Sequence, residues 1–192
     1  MSEPRALGRP ADPALDDALI AAAIAELIEL GYAGLTTAGV ARRAGSSTAA
    51  IYRRWRSKQE LVADTAARLV DDALAPVDTG TLAGDLAELL AHKHAAMAGG
   101  VGTALLTLIG ASSHDEELAA VLRAEVFGRT RARVEQVLAQ AAARGERVAG
   151  VDATAFAMLL TMAGLSPLIV GDGIPDAAYV RLLTAAVHHA GE

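Results

Sequence analysis

Few side chains in this chain are spaced for covalent chemistry, and those that stand out do not complete a site. His92-Lys93-His94 sets two imidazoles two residues apart; on a helix they point to different sides and make a poor metal site. His188-His189 has the same defect. Gly100-Val101-Gly102 lacks the third glycine of a dinucleotide loop and follows a helical pattern, not a strand. Asp71-Asp72 falls on an exposed helix face without an evident partner. There is no cysteine, which excludes a disulfide framework, thiolate zinc, an iron–sulfur cluster and a Cys nucleophile. The expectation is no catalytic residue, no metal site and no cofactor.

Binding a polyanion is better supplied. Residues 35–58 hold Arg42, Arg43, Arg53, Arg54, Arg56 and Lys58 and no acid. That segment is +6 in a chain of net −6, so the remainder sums to −12. A concentrated basic patch on an acidic body is the electrostatic footprint of a nucleic-acid reader. A charge run alone would mean only a solvated helix face; the elements beneath it decide otherwise.

Those elements are short helices in quick succession. Thr36 can cap a helix over 37–44, which Gly45 stops, and Ser47 can cap a second over 48–55. Two such helices joined by a Gly-containing turn form a helix-turn-helix. Each is marginal alone and needs a third to pack on. Asp12-Pro13 opens that third helix, with Asp16 and Asp17 near the positive end of its dipole. Leu15, Leu19, Ala22, Ala23, Leu27 and Leu30 give it one apolar stripe, and Gly31 ends it. Val40, Ala41 and Ala44, with Ile51 and Trp55, are spaced to face the shared core. Ser57-Lys58-Gln59-Glu60 is a capping box that starts a fourth helix running to about residue 75. At the N-terminus of the second short helix, Ser47 and Thr48 offer hydroxyls where backbone N–H groups also favour phosphate. Ala49 and Ala50 keep the helix slim, and their methyls suit a thymine methyl.

Residues 15–65 resemble the N-terminal domain of the TetR family. The resemblance rests on Gly31-Tyr32, Leu35-Thr36, Val40-Ala41, Arg43-Ala44-Gly45, Ser47-Thr48-Ala49-Ala50-Ile51-Tyr52-Arg53-Arg54-Trp55 and Ser57-Lys58-Gln59-Glu60-Leu61. It implies DNA contacts at Thr36, Ser47, Thr48, Ala49, Tyr52, Arg53 and Lys58, with Trp55 in the core and Arg42 and Arg43 as solubility charges. Three positions depart from the family pattern. Gly39 replaces the acid that completes a capping box with Thr36, Ser46 replaces an apolar residue, and Arg56 stands where Pro is common. The lost box should soften the packing by ~1 kcal/mol, and Arg56 adds a possible phosphate contact. Gly8-Arg9-Pro10 resembles arms that place Arg in a minor groove.

The rest of the chain reads as helical. Apolar residues are 53%, aromatics 3% and charged residues 21%, with six prolines, so an Ala- and Leu-built all-α protein is expected. Helices are predicted at about 82–98, 103–111, 116–144 (opened by a capping box at 113–116 and closed by Gly145), 153–170 and 175–190. The domain plan is a tail at 1–11, a helix-turn-helix domain at 12–60, a connecting helix at 61–75 and a ligand-binding and dimerisation domain at 76–192. Mean hydropathy is +0.32, and 95–113 and 153–171 are uncharged over a bilayer-spanning length. Gly, Ser, Thr and Pro interrupt both, and neither has the Lys/Arg asymmetry or aromatic belt of an inserted helix. A buried core or subunit interface is expected instead of a membrane span, and the N-terminus has no signal-peptide pattern.

The resemblance implies what these helices do. They should enclose a pocket for a small, largely apolar effector and form a homodimer through 153–190, which binds a palindromic site in double-stranded DNA. Pocket candidates are Met97, Leu105, Leu108, Phe127, Met158 and Met162, on apolar, Met-containing helices suited to an adaptable cavity. Repression, the family's commonest mode, follows from the same resemblance, and a cytoplasmic location is expected from the absence of cysteine, which fits a reducing compartment. The alternative is a helical adaptor or ligand-binding protein that does not touch DNA.

Overall fold

A computed structural model describes residues 13–148, 150–171 and 174–189; the tail with Arg9 and the Asp12 cap lie outside them. Ten α-helices run through the described residues. They are α1 (Pro13–Gly34), α2 (Thr37–Arg43), α3 (Thr48–Tyr52), α4 (Lys58–Ala73), α5 (Leu82–Ala96), α6 (Gly102–Ser112), α7 (Glu116–Leu122), α8 (Arg129–Ala143), α9 (Ala153–Val170) and α10 (Asp176–His189). The all-α expectation holds.

The apolar stripe of α1 makes the small N-terminal core. Leu19, Ala23 and Leu27 are fully buried against Leu35, Val40, Ile51 and Leu61, with Trp55 at its edge. The stripe stops short of Leu30, which is 54% exposed, and Gly31 at φ 68° breaks the helix at the next residue. Between α2 and α3 the chain makes a Schellman turn. Gly45 at φ 61° lets its N–H reach Arg42 O at 3.2 Å, and the Ser46 N–H reach Ala41 O at 2.8 Å. Ser46, out of pattern in the sequence, serves through its backbone.

A wide π-type turn occurs twice, once where the sequence predicts a break between helices 82–98 and 103–111 and once inside the single rod predicted over 116–144. One over Met97–Val101 joins α5 to α6, with Gly100 at φ 88°; the other, over Arg123–Gly128, joins α7 to α8. The cap of α7 also differs from the box expected at Ser113. Asp115 takes the extended cap conformation and accepts from Leu118 N at 3.0 Å, while Ser113 Oγ donates back to Gly110 O.

Under the linker after α4, Asp85 is fully buried and accepts from Thr79 N (2.6 Å), Thr79 Oγ1 (2.8 Å) and Arg144 (2.7 Å). Asp71, which had no evident partner, pairs with Arg129 across 58 residues. Pro167 sits inside α9, and the helix runs on to Val170. A proline has no N–H, so the carbonyl four residues back loses its helical donor. That carbonyl, Ala163 O, bonds instead to Ser166 Oγ at 2.7 Å and lies 3.0 Å from His94 Nε2. His94 Nδ1 is 2.9 Å from Asp176 on α10. The histidine therefore ties α5 to α9 and α10.

Helix α9 is 18 residues long with mean hydropathy 1.9, apolar and long enough to cross a membrane, and 39% of it is buried. Its inner side (Phe156, Ala157, Leu160, Ala163, Leu165) packs chiefly on α5 and α8.

Candidate nucleic-acid interface and effector pocket

Local capping positions the nucleic-acid face. Thr36 Oγ1 accepts from Gly39 N at 3.0 Å and Ser47 Oγ from Ala50 N at 3.2 Å. A hydroxyl that accepts at a cap keeps its own proton, so both exposed side chains can still donate to a phosphate. Thr48, Ala49 and Arg53 are exposed on α3 and just beyond it, and Tyr52 is 56% exposed with its hydroxyl 3.2 Å from Thr37 Oγ1. These residues form one continuous outer edge of α2 and α3. Ala50 departs from the expectation: it is buried, because α3 turns that position onto the core, and only Ala49 offers a methyl outward. Trp55 is buried as expected, and its Nε1 donates to Asp64 at 3.1 Å.

The six cations divide. Arg54 pairs with Asp16 and braces α3 on α1. Arg43, expected to be a mere solubility charge, bonds Glu29 (Nη1–Oε1 3.0 Å) and lies 3.6 Å from Glu26. Among the described residues Arg42, Arg53 and Arg56 are exposed without an ion pair and remain available to phosphate. Gly39 has a tertiary reason. A Cβ there would stand 2.5 Å from Oε2 of buried Glu26 on α1, so the carboxylate of another helix occupies the space that a side chain at this position would need.

Lys58 is half-buried and turned inward. Its Nζ donates to Tyr32 O and lies 4.2 Å from the Tyr32 ring centroid, and Tyr32 Oη donates to Asp115, the cap of α7. Burial lowers the Lys58 ammonium, partly offset by Asp115. Burial, reinforced by Asp115, pushes the Tyr32 phenol up to about 12. Of the predicted contact residues, Lys58 alone is engaged at the junction between the two halves.

A hollow of about 50 Å³ lies among α4–α7, α9 and the second π turn. Met97, Leu105, Phe127 and Met162 line it, together with Val70 and Ala73 of α4, Ile109, Leu122, Val126, Thr161, Gly164 and Leu165. Leu108 is fully buried in the core instead, and Met158 is 45% exposed on the outer side of α9. Sequence reasoning missed Lys93, which lines the hollow and is 7% exposed. A signal existed: Leu86, Leu89, Leu90, Lys93 and Met97 recur at helical spacing, so Lys93 lies on the apolar stripe. Desolvation lowers its ammonium to about 8.

Two family models match the chain. Residues 19–65 match bacterial regulatory proteins of the tetR family, and 76–187 match the tetracyclin repressor-like C-terminal domain. YdeS of Bacillus subtilis, an HTH-type transcriptional regulator, is 30% identical over 91% of this chain and 88% of its own length. A DNA-binding transcriptional repressor TetR of Mycobacteroides abscessus is 35% identical over 70% of each chain. Among solved structures, a TetR-family regulator from Rhodococcus sp. superposes with TM-score 0.75 at 19% identity, covering 94% of this chain and all of the other.

Proposed function

The chain belongs to the TetR family of bacterial regulatory proteins and is a DNA-binding transcriptional regulator, not an enzyme; on that premise we propose that it is a cytoplasmic, homodimeric repressor released from a palindromic operator by a small effector with a largely apolar body. The observation that carries this reading is the reach of α4. It starts at Lys58, beside the DNA face, and ends with Val70 and Ala73 in the pocket wall, about 24 Å away for a 16-residue helix.

In this reading Ser47, Thr48 and Ala49 meet base edges and phosphates in the major groove, with Thr36, Tyr52 and Arg53 gripping the backbone. Lys58 is a contact only if it leaves Tyr32. The dimer forms through α9 and α10, where Met158, Leu159, Met162, Ile169 and Leu182 are exposed apolar side chains that a partner copy would cover. Met162 belongs to both the pocket and that face, so an effector can reset the spacing of the two recognition helices. Regulation is then a population shift between DNA-competent and incompetent states. Repression is supported by the Mycobacteroides relative, which carries that name.

The test is selection of binding sites from random duplex DNA at fixed, near-physiological salt. A palindrome with half-sites about one turn, 34–36 Å, apart is expected. No enrichment, with a folded protein in hand, overturns the reading in favour of a helical adaptor.

A further inference from the structure

We infer that the effector is an amphipathic anion, an apolar body ending in a carboxylate that pairs with Lys93. This rests on the reading of the hollow as an effector pocket and adds the chemical class of its ligand.

Lys93 is 93% buried by its exposure of 7%, yet among the described residues its ammonium has no carboxylate, hydroxyl or carbonyl partner. Other buried charges in the molecule have partners: Glu26 lies beside Arg43, and Asp85 is held by Thr79 and Arg144. A buried ammonium without a counter-ion is strongly unfavourable, and a protein that retains one gains something from it elsewhere. The stem has its own lane. A Cβ at Gly164 would stand 3.2 Å from Lys93 Cβ and 3.1 Å from Cδ, so the bare glycine backbone lets the side chain lie flat across α9. Lys93 is among the residues that line the hollow, and the other polar side chain there is Thr161. The Thr161 proton is already donated to Ala157 O at 2.8 Å, which leaves Lys93 as the side-chain donor for a ligand.

The remaining lining suits a hydrocarbon body. Met97, Leu105, Phe127 and Met162 surround the cation, and the methionines can repack as the ligand enters. Repacking is required, since about 50 Å³ holds only a few heavy atoms. Burial keeps the ammonium near the point of losing its proton, at about 8. A carboxylate drawn into the same dry site holds the ammonium in its charged form and gains a strong charge-assisted bond. An amine headgroup meets a like charge there.

Calorimetric titration of the full chain with straight-chain carboxylates of two to twelve carbons, and with the matched primary alcohols and amines, tests this. The expected result is that wild-type protein binds its best carboxylate at least tenfold more tightly than the alcohol of the same length and does not bind the amine. In Lys93→Met the carboxylate should lose at least tenfold while the alcohol is unchanged; Lys93→Gln serves if the Met variant folds poorly. Equal binding of acid and alcohol by the wild type, or unchanged acid binding in both variants, overturns the anion assignment and leaves an apolar-effector pocket standing. No binding by any of the three series, in protein that still binds its selected DNA, overturns both readings.

Discussion

Asp85 and Lys93 are two buried charges on one helix, two i+4 steps apart, and they have opposite surroundings. Asp85 accepts from the backbone and hydroxyl of Thr79 and from Arg144, which in turn holds Asp78 and Glu146. Lys93 has no partner among the described residues and faces a cavity. The first arrangement is closed: the group is satisfied within the fold and pins the linker onto α5 and α8. The second is open: the group is satisfied only when something enters. The lesson is that burial of a charge does not distinguish structure from function, whereas the completeness of its partners does.

Removing the closed charge should have the largest effect on stability. Asp85→Asn leaves Arg144 facing a neutral amide beneath the linker and should cost about 3 kcal/mol, read as a lower urea midpoint with unchanged slope. An unchanged midpoint would mean that the linker is held by its apolar contacts alone. The pH dependence follows. Burial alone would raise this carboxyl, but Thr79 and Arg144 outweigh it and hold it below its ordinary 3.8. The stabilisation is therefore present above that pH and is lost as pH falls through the lowered folded value. Wild type should show this acid-induced loss, and Asp85→Asn should lack that part of it.

The open charge predicts the opposite sign. Lys93→Met removes a desolvated cation and should raise stability by roughly 2 kcal/mol at pH 7, as a gain in urea midpoint. The folded ammonium sits at about 8 against an ordinary 10.5. The wild-type penalty is thus complete below about pH 8, shrinks as pH rises between these values, and is gone above 10.5. A destabilised variant, or a difference that does not close toward alkaline pH, would show that the cation has a partner in solution and that the two ends of α5 are alike. A stabilising substitution that abolishes acid binding is the trade-off expected of a functional site.

On the DNA face Arg42, Arg53 and Arg56 stand in solvent, so their removal should cost affinity and not stability. Arg53→Ala should weaken binding to every duplex by roughly tenfold at physiological salt and lower the salt slope by about one, the signature of a lost phosphate contact. Thr48→Ala should instead change which sequences are preferred, read by repeating the site selection. An unchanged preference removes Thr48 from the base-reading set.

How much of this was legible in the sequence depends on how far apart the interacting groups lie. Thr36, Ser47 and Ser57 each cap a helix by accepting from the backbone N–H three residues on, and all three were readable because the interaction is local. The dependence of Ala163 O on His94 spans 69 residues, and no local pattern announces it. The wide turn at 123–128 is hidden because sequence periodicity reads the same through a single extra residue per turn, whereas the glycines at 99, 100 and 102 mark an interruption near 97–101 without showing that it is a π turn. Lys93 differs again: its histidine neighbours suggest a metal-type cluster, and only the spacing Leu86, Leu89, Leu90, Lys93, Met97 places it on the apolar stripe of α5.

Gly39 makes that distinction testable at the smallest scale. Sequence rules alone treat it as a defect in α2, where Gly to Ala should help by up to about 1 kcal/mol. The structure reverses the sign, because the added Cβ would come 2.5 Å from Oε2 of buried Glu26. Gly39→Ala should therefore cost about 1 kcal/mol in the wild type. In a Glu26→Ala background, where the obstructing carboxylate is gone, the same substitution should be neutral or stabilising. A double-mutant cycle by chemical denaturation reads the difference as the coupling between the two positions. A coupling near zero would mean that the Glu26 carboxylate yields without cost and that Gly39 is the defect sequence rules make it.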